Sequence, residues 1–132
     1  MKKTQMNKAT YDTRFFVDYY YSKNESLLHK MKAQKVRRGR YISAVVIHEF
    51  YNFALLREGR EVARTQITDI QKEFEVVPAD GQIAQISAEL KHKYRLSMGD
   101  SMIAATALTL KAVCITDDQH IKQVKEIETA WI

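Results

Sequence analysis

The 132-residue sequence predicts an α/β fold built on a central parallel sheet of about five strands. Three observations predict it. Strand-like and helix-like segments alternate along the whole chain, a pattern that argues for a parallel sheet with helices packed on its faces. Apolar residues make up 45% and charged residues 28% of the chain, with four glycines and one proline. That composition suits one compact domain over residues 1–132, with little room for linkers. The first and fourth strand candidates also end at aspartates, and open parallel sheets bind their ligands beyond the carboxyl ends of strands.

Residues 7–13, NKATYDT, form a short strand candidate ending near Asp12. Its composition is weak for a strand, because only Ala9 and Tyr11 are apolar or aromatic. RFFVDYYYS (14–22) carries bulky side chains suited to packing, and residues 22–24 break the segment. ESLLHKMKAQKV (25–36) spaces Leu27, Leu28 and Met31 as a helix does. RRGR (37–40) reads as a turn with Gly39 as the stop signal.

YISA (41–44) is the second strand candidate, and Ser43 can cap the helix behind it. That helix runs to about Leu56 and stops at REGR, where Gly59 supplies the break. EVARTQITDIQKEF (61–74) is amphipathic, with Val62, Ile67, Ile70 and Phe74 near one side. FEVVPAD (74–80) is a strand followed by a turn, since Pro78 cannot continue a ladder.

GQIAQISAELKHKYRL (81–96) repeats Ile83, Ile86, Leu90 and Tyr94 at helical spacing. SMGDSMIAATALTLKA (97–112) opens with a capping box of Ser97 and Asp100. AVCIT (112–116) is a buried strand, DDQHIKQV (117–124) a short helix, and IETAWI (127–132) the last strand.

Composition narrows the function. The net charge of +5 favours a polyanion over a polycation as partner, or else reflects a solvated basic surface. One cysteine, Cys114, excludes a disulfide within the chain and a cysteine-rich metal site. It reads as a small buried hydrophobe in a reducing compartment such as the cytoplasm. No run approaches the roughly 20 apolar residues of a membrane span. The start, MKKTQMNKAT, is basic but has no apolar core behind it, so it is not a secretory signal.

Several routine sites are missing. The glycines are isolated, so no phosphate-cradling loop exists. His48 and Glu49 begin a helical zinc motif, but Asn52 stands where the second histidine belongs. No nucleophile elbow supports Ser/His/Asp catalysis.

What remains is a set of acids in unusual places. In SAVVIHEFYNFALL (43–56), Glu49 has Val45 and Val46 one helical turn behind it and Phe53 one turn ahead. A lone carboxylate on such a face is costly, unless a partner such as Arg14 neutralises it. Asp12, Asp100 and Asp118 each have a structural explanation, as turn, capping-box residue and helix cap. Taken jointly, the four make an oxygen-only pocket if they converge at the sheet's carboxyl edge. Close like charges repel and raise one another's pKa, and a divalent cation removes that penalty. Oxygen donors select Mg²⁺ or Mn²⁺ over zinc, and such sites handle phosphate esters.

The stretch SAELKHKYRLSMGDSMIAATALTLKAVCITDDQHI (87–121) resembles the C-terminal half of PIN-domain proteins, above all the VapC-type toxins. Asp100, the segment IAATAL (103–108) and Thr116-Asp117-Asp118 fill the places of that pattern. Asp12-Thr13 resembles the family's opening dipeptide, and ISAVVIHEF its glutamate segment, with Glu49.

The resemblance implies an α/β/α sandwich and a metal-dependent endoribonuclease that hydrolyses RNA. Asp12, Glu49, Asp100 and Asp118 carry over as the catalytic and metal-holding acids, with Mg²⁺ or Mn²⁺ as cofactor. Asp117 takes the variable position, and Thr116 would orient a carboxylate or a water. A VapC-type toxin also implies an antitoxin protein as partner and a homodimer. Lys35, Arg37, Arg38 and Arg40, and separately Arg57, Arg60 and Arg64, are expected to hold the RNA backbone near the site.

Two residues depart from the family pattern. Arg14 stands where a small polar residue is common, and Gly99 where proline is frequent. The alternatives are a non-catalytic PIN-fold module that binds RNA or protein, and a PIN nuclease in RNA processing. A receiver-like signalling domain fits poorly, because the adjacent acids come late and the third strand candidate ends at Pro78.

Overall fold

The computed structural model describes residues 8–132. Asn7, assigned above to the first strand, and the basic N-terminal stretch lie outside the described residues. Five strands form one sheet in the order β3-β2-β1-β4-β5, and every pairing is parallel. They are β1 (Lys8–Tyr11), β2 (Gly39–Ser43), β3 (Glu75–Val77), β4 (Val113–Ile115) and β5 (Thr129–Ala130). The helices are α1 (Thr13–Tyr21), α2 (Glu25–Ala33), α3 (Ala44–Glu58), α4 (Arg60–Glu73), α5 (Gly81–Tyr94), α6 (Met98–Leu110) and α7 (Gln119–Lys122). The expected five-stranded parallel sheet flanked by helices is therefore the fold.

The strand with the weakest composition, β1, occupies the centre of the sheet. Its Ala9, Thr10 and Tyr11 are all buried. A central parallel strand is covered on both faces, so burial outweighs a poor intrinsic preference. The chain builds outward from β1 to β2 and β3, then crosses back to place β4 and β5 on the other side. The order reverses between β1 and β4, and that reversal opens a crevice at their carboxyl ends.

Side-chain caps set the helix starts. Ser43 Oγ accepts from Val45 N at 3.3 Å, and Ser97 Oγ from Asp100 N at 3.1 Å, both at the positions expected. Between α3 and α4, Gly59 adopts φ +86°, a conformation that residues with a Cβ rarely take.

Aromatic side chains dominate the packing of α1 against the sheet. Phe16 meets Phe74 edge-on at 4.9 Å, and Tyr11 meets Phe15 at 4.7 Å. Cys114 is buried as expected, and burial pushes its thiol up to about 12. Between α5 and α6, the buried Ser87 and Ser101 hydroxyls bond at 2.9 Å. Among the described residues no helix is long and apolar enough to cross a membrane.

Three local expectations change. Gly39 does not stop a helix. The α2 helix ends at Ala33, a 3₁₀ turn follows over Gln34–Val36, and Gly39 opens β2 in register with Lys8. Val62 does not join Ile67, Ile70 and Phe74 in the core, being 45% exposed, because Ala63 takes the inward position instead. The last strand shrinks to Thr129–Ala130, while Trp131 and Ile132 pack against the core.

Candidate active site

The central strands bring the first two acids together. Tyr11 pairs with Ile115, and Asp12 N donates to Ile115 O at 3.3 Å, so Asp12 and Thr116 leave the sheet side by side. Asp12 is only 3% exposed. Its Oδ1 accepts from Phe15 N at 3.1 Å and so caps α1, while Oδ2 accepts the Thr116 hydroxyl. Thr116 Oγ1 in turn accepts from Asp118 N at 3.0 Å. One buried hydroxyl thus ties the acid after β1 to the loop after β4. Burial above all pushes the Asp12 carboxyl up to about 6; the Thr116 and Phe15 bonds oppose this, and the nearby Asp117 and Asp118 charges add to it.

Replacing Thr116 by valine is expected to lower stability by about 1–3 kcal/mol, since a buried carboxylate loses its donor. The same change should weaken divalent-metal binding about 10–100-fold, the usual cost of losing a group that orients a ligand. Urea unfolding and calorimetric metal titration check the two effects, and unchanged metal affinity would deny Thr116 any orienting role.

Asp118 lies at the start of α7, where its Oδ1 accepts from His120 N at 2.7 Å and Ile121 N at 3.3 Å. Asp100 comes from the first turn of α6. Burial raises its pKa, and the Asp118 and Glu49 charges add to the rise. Asp100, Asp118 and His120 each offer one ligand atom within 4.8 Å of the others. Ligands about 2.1 Å from a shared ion stand up to about 4.2 Å apart, so this donor set fits a divalent cation after small side-chain adjustment. Nearby, Asp117 Oδ1 is buried and has no hydrogen-bond partner among the described residues. It is a further acceptor at the edge of the same crevice.

Glu49 does not lie on the inward row of α3. That row is Val46, Phe50 and Ala54, all buried. Glu49 follows Val46 by three residues, which turns it about 60° away from the row. Half-buried at the boundary, it accepts the Thr13 hydroxyl. It also rests against Gly99, where a Cβ would collide with its carboxylate. Gly99 therefore matters through close approach to Glu49, beyond its effect on helix entry.

Arg14 does not neutralise Glu49. Its guanidinium is 3.5 Å from Asp18 and 3.4 Å from Asp117, and its side chain is 62% exposed. The acids are thus linked in series: the Thr116 hydroxyl joins Asp12 to Asp118, Asp118 meets Asp100, and Glu49 rests on Gly99, the residue before Asp100.

The first basic cluster lies at the wrong edge of the sheet. All strands run one way, and β2 starts at Gly39 beside the first residue of β1. Arg37 and Arg38 precede that point, at the amino ends, opposite the acids. Arg40 there donates to the Lys35, Arg37 and Glu73 carbonyls, and Lys35 pairs with Glu73 at 3.3 Å. These groups hold the turn before β2. In the second cluster, Arg57 stacks over the Tyr21 ring at 4.0 Å.

Sequence alone does not single out His120, which the fold brings to this group. The signal was present, two residues beyond Asp118, but a histidine in a short helix carries little information until Asp100 is brought beside it.

A family model of the PIN domain matches residues 9–127. The chain belongs to the PIN domain family. No curated protein matches this PIN domain in sequence. Among solved structures, VapBC2 from Rickettsia felis, bound to a DNA fragment from its promoter, aligns at 14% identity with a TM-score of 0.79, covering 94% of this chain and 98% of that one. DNA-bound VapBC from Salmonella typhimurium aligns at 19% identity and 0.78, covering 93% and 96%. VapC20 from Mycobacterium tuberculosis, described as a Sarcin-Ricin loop cleaving toxin, aligns at 14% and 0.72, covering 92% and 99%. At these identities the likeness establishes a shared fold.

Proposed function

We propose that this PIN domain is a divalent-metal-dependent endoribonuclease, hydrolysing RNA phosphodiester bonds as the toxin of a toxin–antitoxin pair. One observation carries the reading: Asp100 and Asp118 each bring a carboxylate oxygen within 4.8 Å of the other, and Thr116 ties Asp118 to the buried Asp12, at the crevice where the strand order reverses. Family membership and the similarity to VapBC assemblies support it.

In this reading Asp12, Glu49, Asp100 and Asp118 hold Mg²⁺ or Mn²⁺. When bound, the ion would neutralise phosphoryl charge and make water more acidic. Thr116 keeps Asp12 in one rotamer, and Ser97 and Asp118 fix the starts of α6 and α7. Glu49, set next to Asp100 by its contact with Gly99, would complete the acids around the ion and is also assigned proton acceptance from the attacking water. Arg14, at the rim next to Asp117, is assigned a contact to the RNA backbone. The partners are an antitoxin protein and a second copy of the chain, the working unit is residues 1–132, and the compartment is the cytoplasm.

The test is incubation with structured RNAs in Mn²⁺, Mg²⁺ or chelator. Internal cleavage that needs the metal is expected, with binding that weakens as salt is added. Cleavage undiminished by chelator defeats the mechanism. The second reading, a non-catalytic RNA-binding module, draws on Arg14 being ion-paired to Asp117 at the rim, and metal-independent binding without cleavage would favour it.

A further inference from the structure

Given the metal-dependent nuclease proposed above, we infer that His120 is a direct ligand of the bound ion and tilts the site from magnesium toward a transition ion such as manganese. The placement starts with α7. Ile121 is fully buried and Val124 nearly so, which fixes the backbone of this short helix against the core. Asp118 holds the helix start through Oδ1. His120, between these anchors, has Nδ1 3.4 Å from Asp118 Oδ1, with Asp100 of α6 completing the group.

The surrounding contacts leave this donor set usable. The Asp118 contacts with α7 fall on Oδ1, and Oδ2 takes no part in them. The His120 side chain is 71% exposed, so turning its ring by a fraction of an ångström disturbs no packing. Its Nδ1 lies on the side facing the acids, and a neutral imidazole supplies a lone pair there.

The choice of ion follows from donor chemistry. A set of carboxylates alone suits magnesium, which binds oxygen and keeps most of its water. Imidazole nitrogen adds stability for first-row transition ions and little for magnesium. An ion pair between His120 and Asp118, with no part in metal binding, is the competing account of the same 3.4 Å contact.

Pulsed electron paramagnetic resonance of the Mn²⁺-loaded full chain, in nitrogen-free buffer, separates the two. The expected spectrum shows nitrogen modulation that survives His48→Gln and disappears in His120→Gln. Calorimetry should show His120→Gln weakening Mn²⁺ binding at least about 10-fold, since even outer-sphere partners are worth about that much. Mg²⁺ affinity should change far less. Thermal unfolding without metal should match wild type, because the ring is exposed. Mn²⁺ bound with no nitrogen modulation, or modulation persisting in His120→Gln, overturns the role of His120 and leaves the nuclease reading standing. Failure of wild type to bind Mn²⁺ while it binds Mg²⁺ overturns the role of His120 alone, and failure to bind either ion overturns both.

Discussion

Asp12→Asn is expected to abolish RNA cleavage and, in chelator at pH 7, to raise the melting temperature of the protein. The two effects have one origin. Asp12 is 3% exposed, and burial lifts its carboxyl from 3.8 to about 6. Folding therefore makes ionisation of this group unfavourable by about two pKa units, or roughly 3 kcal/mol. Asparagine removes that penalty and keeps the side-chain oxygen that caps α1 through Phe15 N. Its amide nitrogen replaces an oxygen that accepts the Thr116 hydroxyl, which takes back about 1 kcal/mol. The net gain is about 1–2 kcal/mol, several degrees in melting temperature for a chain of this size.

The pH dependence has a definite sign. Between pH 3.8 and about 6 the folded protein binds more protons at Asp12 than the unfolded chain does. The stability associated with the protonated group is fully present below pH 3.8 and is lost as pH rises through about 6. Wild type should consequently fall relative to Asp12→Asn across that window, and the gap should close at pH 4. Saturating Mn²⁺ should reverse the order at pH 7, because only wild type gains full binding energy. Cleavage loss should reach at least about 100-fold, corresponding to the several kcal/mol a catalytic metal supplies. Calorimetric melts at both pH values, with a gel assay for RNA cutting, check all three statements. A variant that melts lower than wild type in chelator, or still cuts, contradicts the role given to Asp12.

The second large effect is on folding. Phe16→Ala is expected to cost about 3–5 kcal/mol, the range for deleting a buried phenyl ring. Phe16 is 1% exposed and packs against Phe74, Phe15 and Phe50 at 4.9, 5.1 and 6.4 Å. Against a typical total of about 5–15 kcal/mol, that loss leaves a marginal protein. It also loosens α1, which Asp12 caps and which carries Thr13 and Arg14. Cleavage should fall with the folded fraction, and saturating Mn²⁺ should restore part of both by binding the native state. Val62→Ala, on an exposed position of α4, should change stability by less than about 0.5 kcal/mol. Urea titrations of both variants measure the contrast. Comparable losses from the two would mean that the aromatic cluster does not dominate the packing of α1.

The sequence alone determined the class of fold, because period-two and period-3.6 patterns report which side of each segment faces apolar surroundings. It also located the caps at Ser43 and Ser97, since capping depends on residues only two or three apart. Asp12, Asp100 and Asp118 stood out because strand ends and helix starts are local features. Tertiary structure decided what is lateral. Only long-range pairing puts the poorly composed β1 at the centre, with β4 beside it, and so sets Thr116 between Asp12 and Asp118. Only packing turns Glu49 off the inward row and toward Gly99. The same pairing sends Arg37 and Arg38 to the edge opposite the acids, though their charge alone suggested a place near the mouth. His120 gains its meaning through Asp100, twenty residues earlier in the chain. Local pattern fixes which face a residue shows, whereas neighbours across the sheet are chosen by burying the most apolar surface at once, a property of the whole chain that no short window contains.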